Sequence, residues 1–564
     1  MFSFARQKTL VSTLGLSLLL AAPGADAQQC PSSESTPQLV AKLSLATNKQ
    51  YFSYNGQTIP LIGLSSEYLC HIAQPGTAFN GAVTPDRDYC TWANYKTFID
   101  RLQTSGLNVL RLWVGLNHSP GRERAGGGLN DPTGPYVNEQ PFAYNSGTQK
   151  WDLNTPDTVY WDRLKCVIGY AGTKGVIVEV TLLDPWSGDW TKGPWHSTRN
   201  SQGIGFSLRK YFAQFVNDPT KTDDMSNTAI RLEQDEFVQY AVNQLKAYPN
   251  LYWEIANEAD LSPGSGGPAG RWMDHVAQVI NATEAAPRHL IGVNMQTSAA
   301  LTELTSSGSN PSLATASVVA AHYVSVGSPK GDTGAIQLIR SKSGLTGYTT
   351  RAFGFNETRS TPSPSIPSSA RSEAWEFALN EGGLYDNYNL NFLNSSGGVQ
   401  TDTNKVFNQL GVLKTFLLGL GGLDTMGRDA CGAGCWLSGQ GTYKTLEALT
   451  CARPDATIWQ GSKYWAAMHS PTSYVAYFHH SLDTLSASNS FSRYEPPPCS
   501  PSYQETGIKF KPDALGTYVA EWVNPVSGAT LATHNLGSVA AGVQVNVPSS
   551  PTYSYDIALR VKKQ

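Results

Sequence analysis

Two stretches of this chain, Leu251-Tyr252-Trp253-Glu254-Ile255-Ala256-Asn257-Glu258 and Arg351-Ala352-Phe353-Gly354-Phe355-Asn356-Glu357, each carry a glutamate to the end of an apolar, strand-like run. Opening an acetal near neutral pH needs a carboxylic acid to protonate the leaving oxygen. It also needs a carboxylate to stabilise or attack the cationic carbon. Glu258 and Glu357 could fill these roles, and Asn257 could hold the neighbouring hydroxyl, where hydrogen bonds strengthen as positive charge develops.

Such residues act together only if the fold brings them together. Eight apolar or β-branched runs, 59–67, 109–116, 176–184, 252–258, 290–297, 317–324, 351–357 and 416–426, alternate with helical patterns. Helices are expected over 92–105, 158–174, 229–247, 269–284 and 369–380, with Gly106 and Gly175 as C-caps. Repeated βα units build a parallel sheet, and eight of them close into a (β/α)8 TIM barrel of the α/β class, whose chemistry sits at the C-terminal strand ends. Glu258 then ends strand four and Glu357 strand seven. Other strand ends are also polar: Ser65, Ser66 and Glu67; Arg111, Trp113 and Asn117; Asp184 and Trp186; Asn294 and Gln296; His322 and Tyr323. Glu373, Glu376 and Glu381 lie downstream on or beside a helix and are the alternatives to Glu357.

The insertions 118–151 and 184–228, rich in Gly, Pro, Asn and Trp, would wall a cleft, and Trp113, Trp186, Trp190 and Trp195 are candidate platforms for a sugar ring. Beyond Gly461 the pattern changes to short alternating runs, 473–478, 516–523, 530–536, 542–547 and 553–561, with a turn at 524–528. This predicts a small antiparallel β-sandwich. The expected organisation is a signal peptide over 1–27, a barrel over 28–462 and a β-sandwich domain over 463–564.

Residues 1–27 read as a secretory leader: Arg6 and Lys8, an apolar run over 14–22, then Ala25-Asp26-Ala27. A secreted or periplasmic protein starting at Gln28 is expected. All eight cysteines fall after the leader, so disulfides are the expected state, with connectivity open; Cys431 and Cys435 have a spacing that a metal site could also use, but no second cluster accompanies them. No metal or cofactor is expected. A net charge of −3 with 15% charged residues argues against nucleic acid, a membrane surface or a polyanion as partner, whereas 14 Trp suit neutral carbohydrate. The expected assembly is a monomer. Four sequons stand at Asn117, Asn281, Asn356 and Asn394, and Asn356, beside Glu357, is expected to be unmodified.

The run Tyr252-Trp253-Glu254-Ile255-Ala256-Asn257-Glu258 resembles the acid/base strand of glycoside hydrolase clan A, the retaining barrel glycosidases that include family 5. The resemblance implies Glu258 as acid/base and Glu357 as nucleophile. It also implies that Arg111 is the strand-two arginine that keeps the nucleophile ionised, and that His322 and Tyr323 contact substrate and nucleophile. At strand three, where many family 5 members end in histidine, this chain reads Leu182-Leu183-Asp184-Pro185-Trp186. The stretch from Gly516 to Gly528 is similar to the small β domain of apiosidase-like barrel glycosidases. The implied activity is double-displacement hydrolysis of an oligo- or polysaccharide. The alternatives are a barrel that binds carbohydrate without cleaving it, and a metal-dependent hydrolase, for which no His-x-His motif is present.

Overall fold

The structure, a computed structural model, describes residues 32–65, 92–114, 140–145, 147–183, 193–204, 228–257, 270–295, 317–321, 350–358, 367–388, 401–429, 435–452, 458–482 and 494–564. Eight parallel strands close into a barrel: β1 (Leu61–Ser65), β2 (Val109–Trp113), β3 (Ile177–Leu183), β4 (Leu251–Ala256), β5 (Ile291–Met295), β6 (Val318–Ala321), β7 (Ala352–Thr358) and β8 (Leu384–Tyr388), with β8 pairing back onto β1. The helices α1 (Trp92–Thr104), α2 (Thr158–Thr173), α3 (Thr228–Leu245), α4 (Gly270–Thr283), α5 (Pro367–Ala378) and α6 (Thr401–Leu418) fall within two residues of the sequence expectations where one was made. Gly106 and Gly175 end α1 and α2 with φ of 79° and 68°, a left-handed conformation that favours glycine.

The eighth strand was expected at 416–426 and lies instead at Leu384–Tyr388. Residues 401–418 form α6, whose Phe407, Leu410, Leu413 and Leu417 are buried at helical spacing. The true strand was passed over because its inward position carries Asp386, so it does not read as an apolar run.

Strand alternation sorts the barrel residues into two sets. Ile62, Leu64, Leu110, Leu112, Val178, Val180, Trp253, Ile255, Val293, Phe353 and Phe355 pack outward with the helices. The inward residues rise in layers drawn from alternate strands. At the N-terminal end these layers are apolar, with Leu61, Val109, Ile177, Tyr252, Val318, Ala352 and Leu384 buried against Phe52, Tyr54 and Ile59 of a small antiparallel sheet that closes this end. Above them, the register brings Gly63, Glu179, Gly292 and Gly354 into one layer. Higher still the interior is polar.

A second, antiparallel sheet contains β9 (Gly427–Arg428), β10 (Thr445–Ala452), β11 (Ile458–His469), β12 (Ser473–Leu482), β13 (Gly516–Val523), β14 (Thr530–Val539) and β15 (Asp556–Lys563). One face packs on a three-stranded sheet over Trp436, Phe478, Phe510, Trp522 and Leu559, giving the expected sandwich. Its strands begin at Gly427, so residue 463 falls inside β11. The other face lies on the barrel through α5, with Trp375 stacked on Tyr477 at 5.2 Å and Arg371 paired with Asp556 at 2.7 Å. Cys451 and Cys499 are joined, and Cys166 and Cys435 are also disulfide-bonded. No helix among the described residues is long and apolar enough to cross a membrane.

Near the start of β5, Lys42 and His289 both engage the buried Glu284. Burial would raise that carboxyl, but hydrogen bonds from His289 and Lys42 and the His289 charge outweigh it, bringing the pKa from 4.5 to about 2. A carboxylate whose folded pKa is depressed stabilises the fold fully above its unfolded value, and this contribution is lost as pH falls through the folded value. Replacing Glu284 with Gln should therefore cost stability at neutral pH, and the difference from wild type should close between about pH 4.5 and about pH 2. Urea unfolding at several pH values measures that difference, and one that stays constant would remove Glu284 as its source.

Candidate active site

The polar upper layers of the barrel interior start from one cation. Arg111 is fully buried on β2, and two strands away Glu254 is equally buried on β4. Arg111 grips it in bidentate fashion, Nε to Oε2 at 2.8 Å and Nη2 to Oε1 at 2.5 Å. The same Nη2 donates to Oδ1 of Asn257 at 2.8 Å, just past the end of β4. The guanidinium also lies over the Trp113 ring at 4.3 Å. A planar fork that satisfies carboxylate, amide and aromatic face together is what arginine provides and lysine does not.

From Glu254 the network crosses to β7. Asn356 donates through Nδ2 to Glu179 Oε1 at 2.8 Å and to Glu254 Oε2 at 3.4 Å, and its Oδ1 accepts from Asn294 Nδ2 at 2.6 Å. On the far side Ser65 hydrogen-bonds Asp386 and accepts at Oγ from the Arg111 backbone N–H at 2.8 Å. Burial, with the Glu254 carboxylate beside it, pushes the Glu179 carboxyl well above the usual carboxylate range. Burial and the neighbouring carboxylate thus favour the protonated form of Glu179, while the Arg111 charge is matched by Glu254. Tyr252, in the layer beneath, is raised likewise by burial and by Glu179.

The arrangement is a charged floor under the C-terminal mouth of a parallel barrel, tied to the residues directly before Glu258 and Glu357. No protein-family model and no curated protein matches this sequence. Solved structures do. One described as a glycoside hydrolase superposes with a TM-score of 0.53 at 11% identity, covering 93% of this chain and 97% of that one. A glycoside hydrolase family 5 structure from Bacteroides vulgatus gives a TM-score of 0.53 at 11% identity over 93% of each chain. The chain shares the fold of these two structures.

On that barrel the candidate residues divide into three groups. Arg111, Asn257 and Trp113 are described and stand together. Asn356, expected to be unmodified, is fully buried with its amide engaged on both sides. Glu357 lies within β7, while its side chain falls outside the described residues, as do Glu258, Asn117, Trp186, Trp190, His322 and Tyr323 altogether. Trp113 is 2% exposed and has Arg111 over its ring, and Trp195 packs edge-on against Phe142 and Phe237, so these two are core rings. The rival glutamates face elsewhere. Glu373 accepts from Tyr385, Glu376 from Tyr443 and Tyr494, and Glu381 from the Arg428 backbone.

Glu179, Glu254 and Asp386 were not picked out as candidates from the sequence. The available signal was a single acidic residue at an inward position of a run otherwise built for burial, such as Ile177-Val178-Glu179-Val180. A charge enters such a run only with a partner.

Removing one member of a buried pair strands the other, at a cost of about 3–5 kcal/mol. Arg111→Met and Glu254→Leu should each destabilise by about that much, while the double variant recovers at least about half of the summed loss. Urea denaturation of all four proteins provides the cycle, and simple additivity would contradict a pair that acts as a unit.

Proposed function

We propose that the protein is a retaining β-glycosidase acting on an oligo- or polysaccharide, with Glu357 as nucleophile and Glu258 as acid/base. One observation carries this reading: Asn257 and Asn356, the residues directly before the two glutamates, hydrogen-bond into a single network through Arg111 and Glu254. Two strand ends tied to one ion pair are held at a fixed separation. Retaining hydrolysis asks for carboxyl groups about 5–5.5 Å apart.

In the first step the Glu357 carboxylate attacks the anomeric carbon and the glycosidic C–O bond breaks as Glu258 delivers its proton to the departing oxygen. An ester joins sugar and enzyme. Glu258, now ionised, takes a proton from water, whose oxygen attacks the same carbon and releases Glu357. Before the first step the Glu357 charge keeps Glu258 protonated, and esterification removes that charge when Glu258 must act as a base. Arg111 holds Asn257 by its Oδ1, which orients the amide for the sugar 2-hydroxyl. His322, Tyr323, Asn117 and Trp186 complete the contacts to sugar. A leader over 1–27 exports the chain, the barrel is the catalytic domain, and the sandwich shields its flank. The working form is a monomer without metal.

A screen of aryl β-glycosides and plant and microbial polysaccharides should find a cleaved substrate, with the first-formed product a β anomer by proton NMR. Glu357→Gln and Glu258→Gln should each lower kcat by at least about a thousandfold on that substrate. An inverted product, or near-wild-type turnover in Glu357→Gln, would overturn the assignment, and tight binding of a polysaccharide without released reducing ends would favour a carbohydrate-binding protein.

A further inference from the structure

Among the titratable groups of the barrel interior that the double displacement does not use directly, Glu179 stands nearest to the end of β7 through its bond to Asn356. Glu179 is fully buried on β3, and the layer it shares is otherwise formed by Gly63, Gly292 and Gly354. Three of four inward positions without a side chain leave room on the barrel axis for one long residue. An ideal Cβ on Gly63 would meet the Val109 carbonyl oxygen at 2.2 Å, and one on Gly292 would meet the Tyr252 ring at 3.3 Å. Side chains at Gly63 and Gly292 would thus collide with Val109 and crowd Tyr252, and Glu179 is the one long side chain of this layer.

What that group touches is specific. Its Oε1 accepts from Asn356 Nδ2 at 2.8 Å, shorter than the 3.4 Å from the same amide to Glu254. With Oδ1 of Asn356 taken by Asn294, the amide is held from two strands, and its backbone continues directly into Glu357. Without Glu179, Asn356 would keep the longer contact to Glu254, and its Nδ2 would be left partly unsatisfied in a dry interior.

We propose that Glu179 is a positioning residue that, through Asn356, fixes the end of β7 and hence the direction in which Glu357 presents its carboxylate. The proposal rests on the glycosidase reading above. Its Oε1 supplies the acceptor that Asn356 uses, and burial beside Glu254 favours the form that adds no second negative charge there. An amide of the same shape can do the same, whereas an isosteric hydrocarbon cannot.

The test uses the full-length enzyme and the aryl β-glycoside that the wild type cleaves fastest. Glu179→Leu should lower kcat about tenfold to a hundredfold with KM within about threefold, the pattern of a misaimed reacting group rather than lost binding. Glu179→Gln should restore most of that turnover. Asn356→Ser should reproduce the loss in kcat, and combining it with Glu179→Leu should add little, since both cut the same link. If Glu179→Leu does not fold, Asn356→Ser beside Glu179→Gln decides: a loss in the first and near-wild-type turnover in the second support the link. Wild-type kcat in Glu179→Leu or Asn356→Ser, equal defects in the Leu and Gln variants, or additive losses would overturn the positioning role. If Glu357→Gln is inactive while Glu179→Leu is not, only this inference fails. If Glu357→Gln remains active, the glycosidase reading itself fails.

Discussion

The barrel interior depends on the ion pair between Arg111 and Glu254. Each lies at a depth where an isolated charge could not be held, and each is there because the other is. Their bidentate contact spans from β2 to β4 across β3, which links alternate strands in the way that barrel layers stack. Three neighbouring polar residues contact that pair directly. Asn257 hangs from the guanidinium, Asn356 from the carboxylate, and Ser65 reaches the Arg111 backbone. Glu179 Oε2, Thr181 Oγ1 and Tyr252 OH lie buried beside this network without a hydrogen-bond partner among the described residues, so the ion pair and the Asn356 amide carry most of its satisfied bonds.

The interior passes from apolar to charged in one layer, and the glycines mark the transition. Beneath them, Leu61, Val109, Ile177, Tyr252, Val318, Ala352 and Leu384 fill the barrel as an ordinary core and supply the burial that stabilises it. Above them, the walls carry Arg111, Glu254, Asp386, Asn294 and Asn356. Within the barrel interior, apolar packing thus occupies the N-terminal end and the charged groups the C-terminal end. The same low dielectric that makes the floor costly strengthens its hydrogen bonds and makes it rigid.

The sandwich domain alters the usual environment of a barrel helix. In α5 every residue from Ser369 to Ala378 is buried, because one side packs on the barrel and the other on the second sheet. Charged residues caught in that layer are matched individually: Arg371 to Asp556, and Glu376 to Tyr443, Tyr494 and His479. Paired polar groups and the stacked rings of Trp375 and Tyr477 join the two units at this seam.

Period-two and period-3.6 patterns, with Gly106 and Gly175 as helix stops, determined from sequence that the chain alternates strands and helices, and seven of the eight barrel strands follow from them. These are local properties, since a strand end or a helix cap is set by the few residues around it. The Asn257-Glu258 and Asn356-Glu357 pairs were legible for the same reason, each being a short run read in place. Asp386 hid the eighth strand, because a charge inside a barrel is indistinguishable in sequence from a charge in solvent until its partner is known. The partnerships themselves, Arg111 with Glu254, Asn356 with Glu179, and α5 with β12 and β15, join residues far apart in the chain. Only closure of the barrel and docking of the second sheet decided them, since the contact energy that selects them exists only once both partners have left water.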